Sequence, residues 1–285
     1  MSAVMNDVAA TRPAAPGTAA RDEEFRIDSL PAIDMDSIPI EAPPQDVEIL
    51  AGSRQFKQGD ALPEEYRELL VKLIYNHAEI LDSKPYRDMI DSQWTVAKRE
   101  APTLKDLAMM ARFNYEEFNH GYIFSNILAG LGGKFEKFEL RQYLFEFPKQ
   151  TWLDLALHHF LASKVGVMQI AEWAESSYEP VARVVPRVFR EERGHAGMGY
   201  MHLAELLRRE PERRVEAQEK LQVWWPMALD MFGNSESQRN KRYRAWGLKK
   251  HTNRQLREAF IANTVPQVEA LGLQVPDHLA NRRYL

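Results

Sequence analysis

Two copies of one glutamate–histidine pattern limit the folds open to this chain more than any other feature. The string Glu-Glu-x-x-His occurs once in NYEEFNHGY and again in FREERGHAGM. Residues three apart in an α-helix lie on one face, about a turn from each other. Glu117 with His120, and Glu192 with His195, can therefore each converge on one ion. Chance predicts about 0.1 occurrences of this string in such a chain, so two copies favour a shared role.

Each pair lies on the apolar stripe of its predicted helix. A carboxylate that faces a protein core is costly unless it is paired, protonated or bound to a metal. Two interpretations follow: an ion held between the helices, or a buried Glu–His hydrogen bond in each helix. Glu116 and Glu191 lie about 100° further round, where we expect easier solvation. The apolar neighbours on the two stripes are Met110, Phe113, Phe124 and Leu128, and Val185, Val188, Phe189, Ala196 and Gly199.

Helical periodicity continues through most of the chain after Pro63, and convincing alternating strands are absent. Pro63 suits the first position of a helix, and Thr103 suits the N-cap of the next one. Pro186 should either kink the fourth helix or mark its true start. The pattern predicts an all-α fold, a four-helix bundle with additional C-terminal helices. The long helices are expected to begin near Pro63, Thr103, Thr151 and Pro180, and shorter ones to cover 212–232 and 253–270.

The N-terminal residues differ in composition from the rest of the chain. Residues 1–45 are rich in Ala, Pro and Asp without a sustained period, which predicts a flexible tail. The Ile and Leu residues in IDSLPAIDMDSIPIEAPP would alternatively suit contact with a partner. We expect residues 46–285 to form one helical metal-binding domain. A signal peptide and a membrane span are not apparent, which predicts a cytoplasmic protein without membrane partners.

Composition narrows the chemistry of any metal site. The chain has no cysteine, so disulfides, thiolate ligands and iron–sulfur ligation are excluded. Its net charge of −4 argues against nucleic acid as a partner. Duplicated Glu-x-x-His helices with further carboxylates are typical of the dinuclear iron sites of ferritin-like bundles, whereas zinc more often uses His-rich or Cys-containing sets. Glu79 is the candidate carboxylate on the first helix, although His77 lies nearer the middle of the stripe.

Several further segments resemble the phenylacetic acid catabolic family of ferritin-like proteins. They are HAEI, APTL, SYEPVAR, WWPMALDMFG and KKHTNRQLREAFIANTVPQVEALGLQVPD, and the resemblance spans about residues 62–277. It implies a di-iron monooxygenase that inserts one oxygen atom from dioxygen into an organic small-molecule substrate, of the aromatic acyl-CoA class, by epoxidation or hydroxylation. It further implies two Fe ions, electrons from a separate flavin and iron–sulfur reductase, and a related ferritin-like subunit within an oligomer.

The resemblance also assigns metal ligands, with one departure. The family's sixth ligand is a carboxylate on the third helix, and Ser163 stands at that position. A serine cannot bridge two ions or balance their charge as a carboxylate does. Either a water or His159, one turn earlier, completes the site; or the site is weaker and asymmetric; or the chain is a non-catalytic scaffold subunit. The positions that match the remaining family ligands are Glu79, Glu117, His120, Glu192 and His195.

Overall fold

The computed structural model describes residues 50, 55–82, 84–132, 147 and 149–283. The tail predicted over residues 1–45 lies outside this part, so it stays a prediction, as does the domain boundary that follows it. The described residues form nine α-helices and no strand, apart from an isolated bridge between Phe56 and Tyr178. The helices are α1 (Glu64–Asp82), α2 (Lys84–Glu100), α3 (Leu104–Gly130), α4 (Trp152–His158), α5 (Lys164–Ala171), α6 (Glu179–Arg209), α7 (Arg214–Asp230), α8 (Gln238–Ala245) and α9 (Asn253–Ala270).

The helix starts follow the capping residues of the sequence. The side chain of Thr103 accepts a hydrogen bond from the Asp106 backbone N–H at 3.2 Å and begins α3. A reciprocal capping box between Thr151 and Asp154 begins α4. At the far end of α3, Gly132 adopts a φ of 65°, a left-handed conformation that costs glycine little.

The four-helix bundle consists of α1, α3, the α4–α5 unit and α6. α1 packs along α3, α6 packs along α4–α5, and α3 meets α6 at the centre. A short π-helix, His159–Ser163, joins α4 to α5. α7, α8 and α9 follow the bundle helices in the chain, and α7 and α9 contribute to the same apolar core. The predicted all-α, ferritin-like class is therefore confirmed, with the third bundle helix interrupted by one π-helical turn.

Close contact with α6 accompanies this irregular turn. A Cβ atom on Gly199 of α6 would lie only 2.1 Å from the Phe160 backbone nitrogen and 2.4 Å from the His159 carbonyl carbon. Real side chains do not approach a backbone so closely, so only glycine fits this crossing. This contact fixes how closely the third bundle helix packs against α6.

The start of α6 agrees with the start predicted near Pro180, whereas two other helices were missed. α2 and α8 were not predicted, although the buried positions of α2 recur at helical spacing. α6 begins at Glu179 and continues through Pro186, so this proline does not mark its start. The buried side chains of α2 include Tyr86, Met89, Ile90, Gln93 and Ala97.

Among the described residues, no helix is both long enough and apolar enough to cross a membrane.

Candidate metal centre

α3 and α6 bring the two Glu-x-x-His pairs face to face. Nδ1 of His120 lies 3.3 Å from Oε1 of Glu192, and Nδ1 of His195 lies 3.1 Å from Oε1 of Glu117. Each histidine therefore faces a carboxylate of the opposite helix. All four side chains are buried. These four side chains point inward, as the apolar stripes of the two helices predicted.

The cluster has the properties of an ion-binding site. Glu117, His120 and Glu192 each offer a ligand atom, and these atoms lie within 4.8 Å of one another. The inward Nδ1 atoms of His120 and His195 are buried, yet neither makes a well-formed hydrogen bond. Buried polar atoms nearly always have partners, so two buried imidazole nitrogens that face carboxylates without regular hydrogen-bond geometry fit a site that can also accept a metal ion. A set of nitrogen and oxygen donors without thiolate suits iron.

The outer nitrogen of each histidine is held by a second carboxylate. Nε2 of His120 lies 2.8 Å from Oε2 of Glu191, and Nε2 of His195 lies 2.9 Å from Oε2 of Glu116. Glu116 is buried and Glu191 is mostly so, hence the expected easier solvation of these two residues is wrong. A position 100° from the inward face reaches the neighbouring helix here instead of water. Carboxylates in this place orient the imidazole and select its tautomer.

One arginine supports each outer carboxylate. Arg112 donates to Oε1 of Glu116 at 2.7 Å, and Arg187 donates to Oε1 of Glu191 at 3.1 Å. In both helices the arginine precedes its glutamate by four residues. The full repeated unit is therefore Arg-x3-Glu-Glu-x2-His, which recurs in RFNYEEFNH and RVFREERGH. This longer repeat was the available signal for the role of the first glutamate.

The cluster is strongly polarised in the absence of an ion. Burial alone would lower the pKa of His120, but the adjacent carboxylate of Glu192, with the nearby charge of Glu117, raises it to about 9. Burial likewise opposes charge on His195, yet Glu116, Glu117 and Glu192 raise its pKa well above the usual value. Burial would raise the pKa of Glu192, and the two histidines lower it instead. Protons therefore occupy both imidazoles at neutral pH, and an ion that takes the Nδ1 positions must displace them.

The phenol of Tyr86, on a helix outside the four-helix bundle, also contacts Glu117. The hydroxyl of Tyr86 on α2 donates to Oε2 of Glu117 at 2.5 Å. Burial, and then the charge of Glu117, raise the pKa of Tyr86 well above its usual value, so it remains a hydrogen-bond donor. This residue was missed because α2 was not predicted. The helical recurrence of its buried residues would have indicated that Tyr86 faces inward.

The remaining predicted residues lie on α1 and the third bundle helix. Glu79 belongs to α1, but its side chain is outside the described part of the structure. Ser163 ends the π-helix and lines a cavity together with Glu117 and Glu192. The only carboxylate in the sequence of residues 152–171 is Asp154, which caps α4 and pairs with Lys220 at 2.7 Å. The third helix thus brings a serine, not a carboxylate, to this cavity.

The alternative ligand His159 packs against the same aromatic ring as His195. The ring of Phe113 lies 4.3 Å from that of His159 and 4.6 Å from that of His195, measured between centroids. His159 is fully buried, and neither of its ring nitrogens has a hydrogen-bond partner. Burial, and then the charge of His195, lower its pKa well below the usual value, so it is neutral. This arrangement does not favour His159 as the replacement for the absent carboxylate.

A cavity of about 380 Å³ adjoins the cluster. Its lining combines Glu117, Glu192 and Ser163 with apolar side chains, such as Met89 and Phe232. Polar side chains between Ser237, the N-cap of α8, and Asn253, the first residue of α9, complete the wall. Among them, the Nζ atom of Lys249 donates to Oε1 of Gln169 at 2.8 Å. The other polar side chains of this part are Ser237, Arg239, Asn240, Tyr243 and Asn253.

Comparison with known proteins agrees with this architecture. Residues 53–283 match the family model described as Phenylacetic acid catabolic protein. The chain is 29% identical over 241 residues to one component of the 1,2-phenylacetyl-CoA epoxidase of Escherichia coli (strain K12), and the match covers 80% of this chain and 75% of that protein. It is 27% identical over 163 residues to "Benzoyl-CoA oxygenase component B" of Aromatoleum evansii, covering 52% of this chain and 33% of that protein. Both relatives carry the names of oxygenase components.

Proposed function

This chain belongs to the phenylacetic acid catabolic protein family, and on that premise we propose that it is the di-iron monooxygenase component of a multicomponent enzyme. The observation that carries the proposal is the convergence of two Glu–His pairs beside a cavity of substrate size. Pockets for small molecules commonly measure about 300–1,000 Å³. A purely structural Glu–His pair needs no adjoining cavity, so the cavity favours the metal interpretation.

The ligands we propose are the four side chains of α3 and α6, joined by Glu79 of α1. Two bound iron ions would supply the activation of dioxygen and the transfer of electrons. The chain itself positions these ions. Glu116 and Glu191 fix the two imidazoles, and Tyr86 fixes one oxygen of Glu117. Phe113 and Met89 give the adjoining cavity apolar walls beside the candidate ligands, where an organic substrate would lie.

The replacement of the sixth ligand by Ser163 makes the proposed site asymmetric. The ring of Phe113 packs against His159, so we favour a water or an open position at Ser163 over a third histidine. Five family ligand positions are retained, which supports metal binding. The same serine is the observation behind the second candidate function, a non-catalytic ferritin-like scaffold subunit of the oxygenase.

The substrate we propose is an aromatic acyl-CoA thioester. The cavity has apolar walls near the carboxylates, which suit an aromatic ring, and cationic and amide side chains from Arg239 onward, which suit polar groups. The two relatives are named for phenylacetyl-CoA and benzoyl-CoA. Epoxidation or hydroxylation of the ring is the reaction that this arrangement supports. Electrons would come from a separate flavin and iron–sulfur reductase.

Metal analysis of the purified chain tests the proposal. We expect about two irons per chain, visible as peaks between α3 and α6 in an anomalous-scattering map. Substituting Glu117→Ala together with Glu192→Ala should abolish bound iron. Glu219→Ala, an exposed carboxylate on α7, is the control and should leave the iron content unchanged.

Two outcomes separate the candidate functions. Unchanged iron in the double variant would reject the site and the enzyme with it. Full iron content without oxygenation of phenylacetyl-CoA or benzoyl-CoA, when the reductase and the other subunits are supplied, would favour the scaffold. Consumption of dioxygen by the iron-loaded chain without a substrate would identify uncoupled ferroxidase activity.

A further inference from the structure

The outward face of α3 carries an unusual row of aromatic side chains. Tyr115, Phe118 and Tyr122 are exposed by 66%, 46% and 68%, at the spacing of one helical stripe. The outward face of a surface helix is ordinarily polar, and contiguous exposed apolar patches mark interaction sites. Small or apolar residues extend this stripe at the same alternating spacing of three and four. These further exposed residues are Leu104, Ala108, Ala111, Ser125 and Ala129.

The charges around this row have one sign. Along α3, all of which the structure describes, no acidic side chain is exposed, and the same holds for α6 between Arg183 and Arg193. The chain as a whole has a net charge of −4, so this segregation is a local feature. We name these exposed residues of α3 and α6 together the aromatic–basic face. Its exposed cationic residues are Lys105, Arg112, Arg183, Arg187, Arg190 and Arg193.

The aromatic–basic face is connected to the candidate metal centre by two short chains of hydrogen bonds. Arg187 contacts Glu191, which contacts the outer nitrogen of His120. The corresponding chain on α3 begins at Arg112 and leads through Glu116 to His195. Both arginines are solvent-exposed at their outer ends. A protein bound on this face would therefore lie over the groups that orient both candidate histidine ligands.

We propose that the aromatic–basic face docks the acidic surface of an iron–sulfur electron carrier, the component that supplies electrons to the metal centre. This inference rests on the proposed function. Charge complementarity selects an acidic partner, and an aromatic row about two turns long suits the small interface of a transient electron-transfer complex. A second copy of this chain bound face to face would oppose like charges across the two-fold axis.

Binding of a purified acidic [2Fe–2S] ferredoxin of the plant type to the full chain tests this docking. The dissociation constant is measured by calorimetry at low ionic strength, with both metal-free and iron-loaded protein. We expect Arg183→Glu with Arg190→Glu to weaken binding about tenfold, and added salt to weaken it in the unmodified chain. Neither arginine contacts the candidate metal ligands. The matched control, Lys72→Glu with Lys98→Glu, reverses two exposed charges on α1 and α2 and should change binding less than twofold.

A second measurement follows the role of the aromatic row. Tyr115→Ser with Tyr122→Ser should slow reduction of the bound iron by ferredoxin about tenfold, yet leave its reduction by dithionite unchanged, because the small donor needs no docking surface.

Equal ferredoxin affinity in the unmodified chain and the α6 double variant would overturn the proposal. So would a dimer of this chain that dissociates on Tyr115→Ser with Tyr122→Ser, or a single-stranded oligonucleotide that outcompetes ferredoxin. Failure of the proposed function has a different signature. The metal-free chain would then bind ferredoxin on the same face, while iron would be absent after loading.

Discussion

The two nitrogens of each central histidine have separate tasks. Nδ1 of His120 faces the inner carboxylate of Glu192, and its Nε2 faces Glu191. His195 repeats this division with Glu117 and Glu116. The inner atom is available to an ion, while the outer carboxylate fixes the ring and increases its basicity. The doubled glutamate of each motif is thus explained by two successive positions that serve opposite sides of one histidine.

Replacing an outer carboxylate should weaken metal binding without removing a ligand. We expect Glu191→Gln to reduce iron affinity at least about tenfold, because the amide cannot stabilise the orientation and basicity of His120 as the carboxylate does. Competition with a chelator of known affinity measures the change. Glu205→Gln is a matched control, since Glu205 also lies on α6 and pairs with arginine on the surface. Equal affinities of the two variants would contradict this role for Glu191.

At the scale of elements, the main feature is the close packing of α6 on the π-helix. The third bundle helix has no regular α-helical path between His158 and Lys164. The cavity lies beside this turn, and Ser163 at its end is one of the lining residues. π-helical turns inside α-helices are frequent at functional sites. The interruption therefore places an irregular backbone next to Ser163, beside the candidate metal centre.

A single methyl group at this crossing should be poorly tolerated. We expect Gly199→Ala to lower the free energy of unfolding by about 3 kcal/mol or more, since its Cβ would overlap the backbone of Phe160. Gly194→Ala on the same helix is the control, because a Cβ there meets nothing within 4 Å. The control should be neutral or gain up to about 1 kcal/mol from helix propensity. Chemical denaturation compares the two variants, and similar stabilities would show that the crossing can relax.

At the scale of the whole molecule, the candidate metal centre joins helices that are distant in the chain. Residues of α3 and α6 meet at the centre of the bundle, and α2 reaches the same point through Tyr86. In the absence of an ion, protonated histidines and carboxylates hold this junction by charge. An ion that binds only the folded chain would replace these contacts and stabilise the whole fold.

Metal binding should therefore be linked to protons. The pKa of His120 is raised to about 9 in the folded metal-free chain, so His120 binds more protons there than in the unfolded chain. The stabilisation from this proton is complete below about pH 6.5 and is lost as pH rises through about 9. Iron requires a neutral imidazole, so the increase in melting temperature on iron binding should grow from about pH 6 to about pH 9.

Calorimetry in buffers of different ionisation enthalpy measures the accompanying proton release. We expect about two protons per loaded chain at pH 7, one from each histidine. His278→Gln alters a histidine of the C-terminal segment and should not change this number, because His278 contacts Trp225 instead of the cluster. Metal binding without proton release would mean that the imidazoles are already neutral.

Much of this organisation could be predicted from the sequence. Helical periodicity, the capping Thr103 and the duplicated motif predicted the all-α bundle and the inward direction of Glu117, His120, Glu192 and His195. These signals are local, because a residue's position on a helical face depends only on spacing along the chain. The same argument could have identified α2, whose buried residues recur at helical spacing. Glu79 as a ligand, and the flexible tail, remain predictions.

Contacts between helices were decided only by the tertiary structure. Spacing placed Glu116 and Glu191 away from the inward face, yet in the bundle they reach across to the histidine of the opposite helix. The packing of Phe113 against His159, and the cavity beside Ser163, likewise depend on how closely two helices approach. Sequence periodicity reports the angle of a side chain around the axis of its own helix. It contains no information on the distance to the axis of the neighbouring helix. That distance determines which side chains are solvated and which contact each other.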